Sequence, residues 1–203
     1  MRLRVLVGCE RSGRVREAFR RLGADAWSND LVPADDGSPF HILDDVRAAM
    51  RMGHWDIGIF HPPCTYLTRA GARWKRDPAD IEAAIGLFMA CLNAPIRHVA
   101  VENPRMVGEP RRRLGDPAQV IQPHMFGHPR YKATCLWLRN LPPLMVMDDV
   151  SEIARWLPRK VTHEMLWMPP GPDRARRRSE TYPGIAEAFA DQWGAFVAMK
   201  AAA

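Results

Sequence analysis

No run of 18 or more apolar residues occurs in this 203-residue chain, so no segment has the length of a membrane-spanning helix. The segment Met1 to Val7 lacks the apolar core and cleavage site of a secretory leader, and the expectation is a cytoplasmic protein with no membrane partner. The four cysteines (Cys9, Cys64, Cys91 and Cys135) form no C-x-x-C pair, and no histidine joins them at zinc-ligand spacing. A disulfide framework and a structural metal are therefore not expected, and a special cysteine would be special for its reactivity. No internal repeat is found. Acidic residues are the scarcer charges, 23 Asp and Glu against 29 Lys and Arg, a balance that favours a polyanionic partner such as nucleic acid.

What is present is an alternation of short apolar runs with helical patterns, in a length that fits a single domain over 1–203. Arg4 to Gly8 reads as a buried strand. Arg14 to Leu22 reads as the following helix, with Val15, Ala18, Phe19 and Leu22 on one face and Gly23 at its end. Ala24 to Ser28, running to Asn29-Asp30, is a second strand, and Asp56 to Phe60 a third, stopped by His61-Pro62-Pro63. Asp77-Pro78 opens a helix with Asp as N-cap and Pro at its first position, and Pro95 closes it. His98 to Val101 is a strand running into Glu102-Asn103-Pro104. Val120-Ile121 and Lys132 to Leu138 follow as further strands. The segment 140–178 reads as irregular and rich in Pro and Arg, and a last core-packing helix covers Ile185 to Met199. Strands alternating with helices give an α/β fold with a doubly wound, mostly parallel sheet.

Ligands of such sheets bind beyond the C-terminal strand ends. The polar residues cluster there: Glu10 and Ser12, Asp30, His61 to Cys64, and Glu102 each follow an apolar run. Cys64, behind the rigid Pro62-Pro63 pair, is a candidate nucleophile, for which the thiolate form and a lowered pKa are needed. A lone cysteine is more often a small buried hydrophobe. Glu102 would stand at the same edge, where burial raises a carboxyl pKa and lets it donate a proton. His61 either lines the pocket or is a satisfied strand-end histidine, the second being favoured.

Strand-Pro-Pro-Cys followed by strand-Glu-Asn resembles the DNA (cytosine-5) methyltransferases, whose hallmark tracts are a Pro-Cys and a Glu-Asn-Val. The resemblance extends upstream to Gly8-Cys9-Glu10-Arg11-Ser12-Gly13 as the cofactor loop, Ser28-Asn29-Asp30 at the second strand's end, and Asp44-Asp45-Val46 as a third cofactor tract. It covers roughly residues 4 to 140, with a weaker echo at Tyr182-Pro183-Gly184. It implies a Rossmann-like, S-adenosylmethionine-dependent methyltransferase fold. Cofactor contacts would come from Glu10, Ser12, Gly13, Asp30, Leu31, Asp45, Val46 and Pro63, with Asp30 accepting from the ribose hydroxyls and Asp45 from the adenine amino group. Cys64 would add to cytosine carbon 6 while Glu102 engages ring nitrogen 3, and carbon 5 would take the methyl group. In duplex DNA the base would first leave the stack.

The sequence also departs from the family. Where the family has a paired-arginine tract, alignment places Arg130, Lys132 and Thr134, so that Lys132 would supply a single positive charge of different geometry, or be a solvated edge residue. A long target-recognition region is replaced by Asn140 to Ser179 alone, and the small size resembles that of phage or mobile-element members. The runs Arg111 to Arg113 and Arg174 to Arg178 would hold phosphates, or be solvated loop charge. An amino-methyltransferase would carry an aromatic residue where Cys64 stands. A non-catalytic nucleic-acid-binding module, and RNA or a free nucleotide as substrate in place of DNA, stay open alternatives.

Overall fold

A strand order that reverses at its centre organises the molecule. The computed structural model describes residues 2–68, 77–171 and 173–202. Its sheet comprises β1 (Arg4–Gly8), β2 (Asp25–Asp30), β3 (His41–Leu43), β4 (Ile57–Phe60), β5 (His98–Asn103), β6 (Gln119–Ile121) and β7 (Thr134–Arg139). They lie in the order β3-β2-β1-β4-β5-β7-β6. β7 is antiparallel to both neighbours, and every other pairing is parallel. This is a doubly wound, Rossmann-like α/β sheet.

Both faces are covered, as the period-2 geometry of a strand requires. On β1, Val5 and Val7 face one core together with Ile57 and Ile59 of β4, against α1 (Arg14–Arg21) and the C-terminal helices. Leu6 and Phe60 face the other core, with Val99 and Val101 of β5 and with Ile85 and Phe88 of α3 (Pro78–Leu92). Asp77 caps α3 through a bond from the Ala79 amide (2.8 Å), with Pro78 at the first turn.

Several elements differ from the sequence reading. β3 and α2 (Val46–Ala49) were not anticipated, because three and four residues show no period; Asp45 caps α2 by accepting from the Arg47 amide. The Arg111 to Arg113 run belongs to α4 (Gly108–Leu114). The segment read as irregular folds into α5 (Ser151–Trp156), α6 (Arg159–Thr162), α7 (Glu164–Trp167) and α8 (Asp173–Ser179). Prolines at 158, 169 and 170 keep these pieces short, which is why no helical period is visible over the whole segment. The last helix is in three parts: α9 (Pro183–Ala188), a π turn over Phe189–Trp193, and α10 (Gly194–Ala202). The π turn lets Phe189 and Trp193 stack, with ring centroids 4.4 Å apart.

Candidate active site

Strand register brings the candidate residues together. Gly8 of β1 pairs with Phe60 of β4, and Phe60 pairs with Val101 of β5. One residue further along each strand places Cys9, His61 and Glu102 side by side, at the switch point where the strand order reverses and ligands bind in such sheets. The His61 amide extends the ladder by donating to the Gly8 carbonyl (3.0 Å). A side chain at Gly8 would run into Phe60 and Val46, at 2.5 and 2.6 Å from an added Cβ, so close packing demands glycine there.

His61 Nδ1 lies 2.7 Å from Oε2 of Glu102, and the two side chains are only 9% and 12% exposed. An ionised carboxylate only accepts, so Nδ1 carries the hydrogen and donates it. Glu102 Oε1 accepts no hydrogen bond from the described residues. Burial pushes the Glu102 carboxyl upward, but the bond from His61 and the charges of His61 and Lys132 outweigh it, and its pKa is lowered. The sequence reading expected burial to win, and it does not. Histidine supplies what that reading lacked.

Asn103, buried on β5, donates through Nδ2 to the Pro62 carbonyl at 2.8 Å, tying the Pro-Pro-Cys turn to the strand that carries Glu102. Beyond Pro63, which is exposed, the Cys64 carbonyl accepts from the amides of Leu67 and Thr68 (3.1 and 3.2 Å). Burial and the neighbouring Glu102 charge raise the Cys64 pKa, against a hydrogen bond from Thr68 and the charge of Arg178. Here too the direction opposes the expectation of an activated thiolate. In the resting protein the sulfur keeps its proton and the carboxyl gives its own away. Lys132 donates Nζ to the Glu180 carbonyl (2.9 Å) and lies 5.9 Å from the Tyr182 ring centre. Burial lowers its pKa while Glu102 and Cys64 pull it upward, so these three side chains sit within electrostatic reach of one another.

The expected cofactor residues follow the ends of β1 and β2 and the start of α2. Asp30 accepts the Val32 amide on Oδ1 (3.3 Å), leaving Oδ2 without a hydrogen bond among the described residues, and Leu31 beside it is 74% exposed. Asp45 holds its cap on Oδ1, with Oδ2 3.7 Å from Arg47. The charges of Asp30 and Asp45 both raise the Cys9 thiol pKa, behind the larger effects of Cys91 and burial, so the two carboxylates approach the same point. Val46 is buried and packs beneath Gly8. Asp30 keeps a spare oxygen at the end of β2, which suits hydroxyl donors such as those of a ribose, while Asp45 at the start of α2 shares its Oδ2 with Arg47.

The loop after β1 is held by its own residues. Glu10, itself buried, accepts from the amides of Val15 (2.7 Å) and Arg16 (3.3 Å) and from the Ser12 hydroxyl (3.3 Å). The chain's own carboxylate therefore occupies amides at the start of α1. Gly13 turns the loop at φ 70°, and an added Cβ there would meet the Arg16 guanidinium at 2.2 Å.

Sequence reasoning passed over Arg16 as one more helix charge. It is fully buried, donating to the Ser28 hydroxyl (2.7 Å) and to Asp36, and it pins α1 to β2. No sequence period distinguishes it from its exposed neighbours. Arg111 and Arg113 are paired with Asp116, Glu82 and Glu109, so these two serve the α3–α4 surface.

No protein-family model matches the chain, and no curated protein matches it. Among solved structures it is similar to a candidate DNA modification methyltransferase encoded within an E. coli prophage. The TM-score is 0.47 at 15% identity, over 67% of this chain and 46% of that one. A triple mutant of Spodoptera frugiperda DNMT2 gives 0.45 at 16% identity, over 70% and 53%. The chain thus spans about half the length of these structures. The fold assignment above rests on strand order and register. Among the described residues no helix is long and apolar enough to cross a membrane.

Proposed function

We propose that the protein transfers a methyl group from S-adenosylmethionine to carbon 5 of cytosine in DNA, with Cys64 as nucleophile, Glu102 as its acid partner and Lys132 as a supporting charge. The observation that carries this reading is the register of β1, β4 and β5, which bonds His61 to Glu102 at the switch point and ties the Pro-Pro-Cys turn to β5 through Asn103 and Pro62. The bound cofactor supplies an electrophilic methyl on a sulfonium centre. Asp30 and Leu31 would hold its ribose and Asp45 and Val46 its adenine. Glu10, Ser12 and Gly13 would shape the loop around its methionine end, and Pro63 would close the site.

The resting polarity suits the chemistry. When the Cys64 sulfur bonds to carbon 6, its proton must leave, and Glu102 is the ionised acceptor within its field. Glu102, protonated in this way, becomes the acid that donates to ring nitrogen 3, balancing the electron density pushed toward carbon 5. After carbon 5 gains the methyl group its proton passes to water, and the freed electron pair re-forms the double bond to carbon 6 as sulfur leaves as a thiolate. The proton returns from ring nitrogen 3 through Glu102 to the sulfur. Lys132 steadies the negative charge while it moves.

DNA as substrate draws support from α5 to α8. Residues 151–179 hold seven basic side chains against three acidic ones, and Trp156 and Trp167 are 88% and 58% exposed. Exposed indoles stack on bases, and basic chains hold phosphates. The test is incubation with methyl-labelled cofactor and separate pools of DNA, RNA and free nucleotide, followed by nucleoside analysis. Label is expected in 5-methylcytosine from DNA and absent with Cys64→Ala. DNA carrying 5-fluorocytosine is expected to trap a covalent complex. Label at another atom, or full activity of Cys64→Ala, would overturn the reading.

A further inference from the structure

His61 stands between two buried carboxylates and is used by nothing in the reaction described so far. On one side Nδ1 donates to Oε2 of Glu102 at 2.7 Å. On the other, Nε2 is buried with no hydrogen-bond partner among the described residues, and the charge of Glu10 in the loop after β1 interacts with the ring. Glu10 is in turn fixed to the start of α1 by the amides of Val15 and Arg16. The imidazole therefore lies between the loop after β1 and the carboxyl on β5, bonded to the carboxyl. Its backbone is held by the β1–β4 ladder and its ring by Glu102.

We propose that His61 is the positioning residue of the proposed methyltransferase site, clamping Oε2 of Glu102 so that the carboxylate stays ionised and turns Oε1 toward the base. The inference rests on the reading of Glu102 as the group that meets ring nitrogen 3. The bond from Nδ1 occupies one oxygen, and a single defined oxygen is what a planar heterocycle needs for an in-plane hydrogen bond. The same bond offsets the burial that would otherwise protonate Glu102 prematurely, leaving it unable to receive the thiol proton. The other charged groups around the carboxyl act in known directions. Lys132, from the loop before β7, favours the ionised form, and Lys132 and Cys64 both feel the charge of Arg178.

The experiment uses the full chain with two substitutions. His61→Phe keeps a ring and removes the donor. His61→Asn keeps an N–H close to the Nδ1 position and removes the ring. Carbon-13 NMR of labelled glutamate carboxyls, with Glu102 assigned by its loss in Glu102→Gln, follows the titration without requiring activity. A charge-assisted bond of ordinary strength corresponds to a rise of about 1–2 pH units in the Glu102 midpoint for His61→Phe. His61→Asn is expected to return most of that shift. In the methyl-transfer assay, His61→Phe should lower kcat roughly 10- to 100-fold while KM for DNA stays within about threefold, with the Glu102-dependent limb of the pH profile moving upward. An unmoved midpoint in His61→Phe, or His61→Asn behaving as His61→Phe does, overturns the clamp. Wild-type protein that makes no 5-methylcytosine would instead overturn the methyltransferase reading, while the carboxyl titration still decides the role of His61.

Discussion

Replacing Asn103 by alanine tests whether the Pro-Pro-Cys turn is held by β5. The side chain is 1% exposed, and its Nδ2 donates to the carbonyl of the buried Pro62 at 2.8 Å. Asn103→Ala strands that carbonyl without water or partner, which costs about 1–3 kcal/mol. For a domain of this size each kcal/mol lowers Tm by roughly 2–4 °C, so calorimetry should show a fall of about 2–12 °C. Activity should suffer more than stability, because a misplacement of ~1 Å at a nucleophile can cost about 100-fold in rate. Asn103→Asp gives the sharper comparison. It has nearly the same shape, but at neutral pH it sets a carboxylate against a carbonyl, so it should melt below Asn103→Ala and recover as acid protonates it. A Tm for Asn103→Ala within about 1 °C of wild type, or an aspartate variant more stable than the alanine variant at pH 7, would refute the tether.

The Glu10 pKa is raised, chiefly by burial, so its contribution to stability is full below the ordinary carboxylate range and is lost as pH rises through the raised value. Glu10→Gln should therefore gain on wild type as pH rises through that window, and a Tm gap that is constant from acid to neutral pH would refute the sign. An added Cβ at Gly184 would stand 2.0 Å from the Phe126 carbonyl oxygen, so Gly184→Ala should destabilise by about 1–3 kcal/mol in denaturant titration. Gly86→Ala, in exposed α3 with open space around it, should instead stabilise by about 0.5–1 kcal/mol. Trp156→Ala with Trp167→Ala should weaken binding of an oligonucleotide by about 1–3 kcal/mol per lost stack with little change in the salt slope, read by fluorescence anisotropy. Glu102→Gln removes a charge that raises the Cys64 pKa, so alkylation of Cys64 by iodoacetamide, followed by mass spectrometry, should become faster; slower labelling would contradict the coupling.

The sheet was legible wherever a strand was buried on both faces or closed by a stop signal. Val5 to Val7, Ile57 to Phe60 and Val99 to Val101 are continuous apolar runs, and such runs need no partner to be recognised. β3 was invisible because three residues, partly exposed, carry no periodic signal. The π turn was invisible for a different reason. Ile185, Phe189, Trp193 and Val197 keep a spacing compatible with one regular helix, and only packing reveals the extra residue per turn. At the site, residue identity was readable and electrical state was not. Cys64 and Glu102 stand out by their neighbours in sequence, but the direction of each pKa depends on groups brought in by register. His61 lies 41 residues from Glu102 along the chain, and their meeting follows from the pairing of Phe60 with Val101.

That pairing also explains why the pieces depend so little on the chain between them. β4 and β5 are adjacent parallel strands, and α3 is the crossover that parallel neighbours require. What fixes the Pro-Pro-Cys turn against β5 is the alignment of Phe60 with Val101, the Asn103 bond to Pro62 and the His61 bond to Glu102. Side-chain direction alternates along a strand, so a one-residue slip of β4 would turn Phe60 out of its core and move His61 away from Glu102 at once. The apolar pattern that buries the sheet and the polar pattern that arms its edge are therefore locked to the same register. A chain that packs this core correctly has already brought the carboxyl and the imidazole together, and the Asn103 bond to Pro62 ties the Pro-Pro-Cys turn to the same strand.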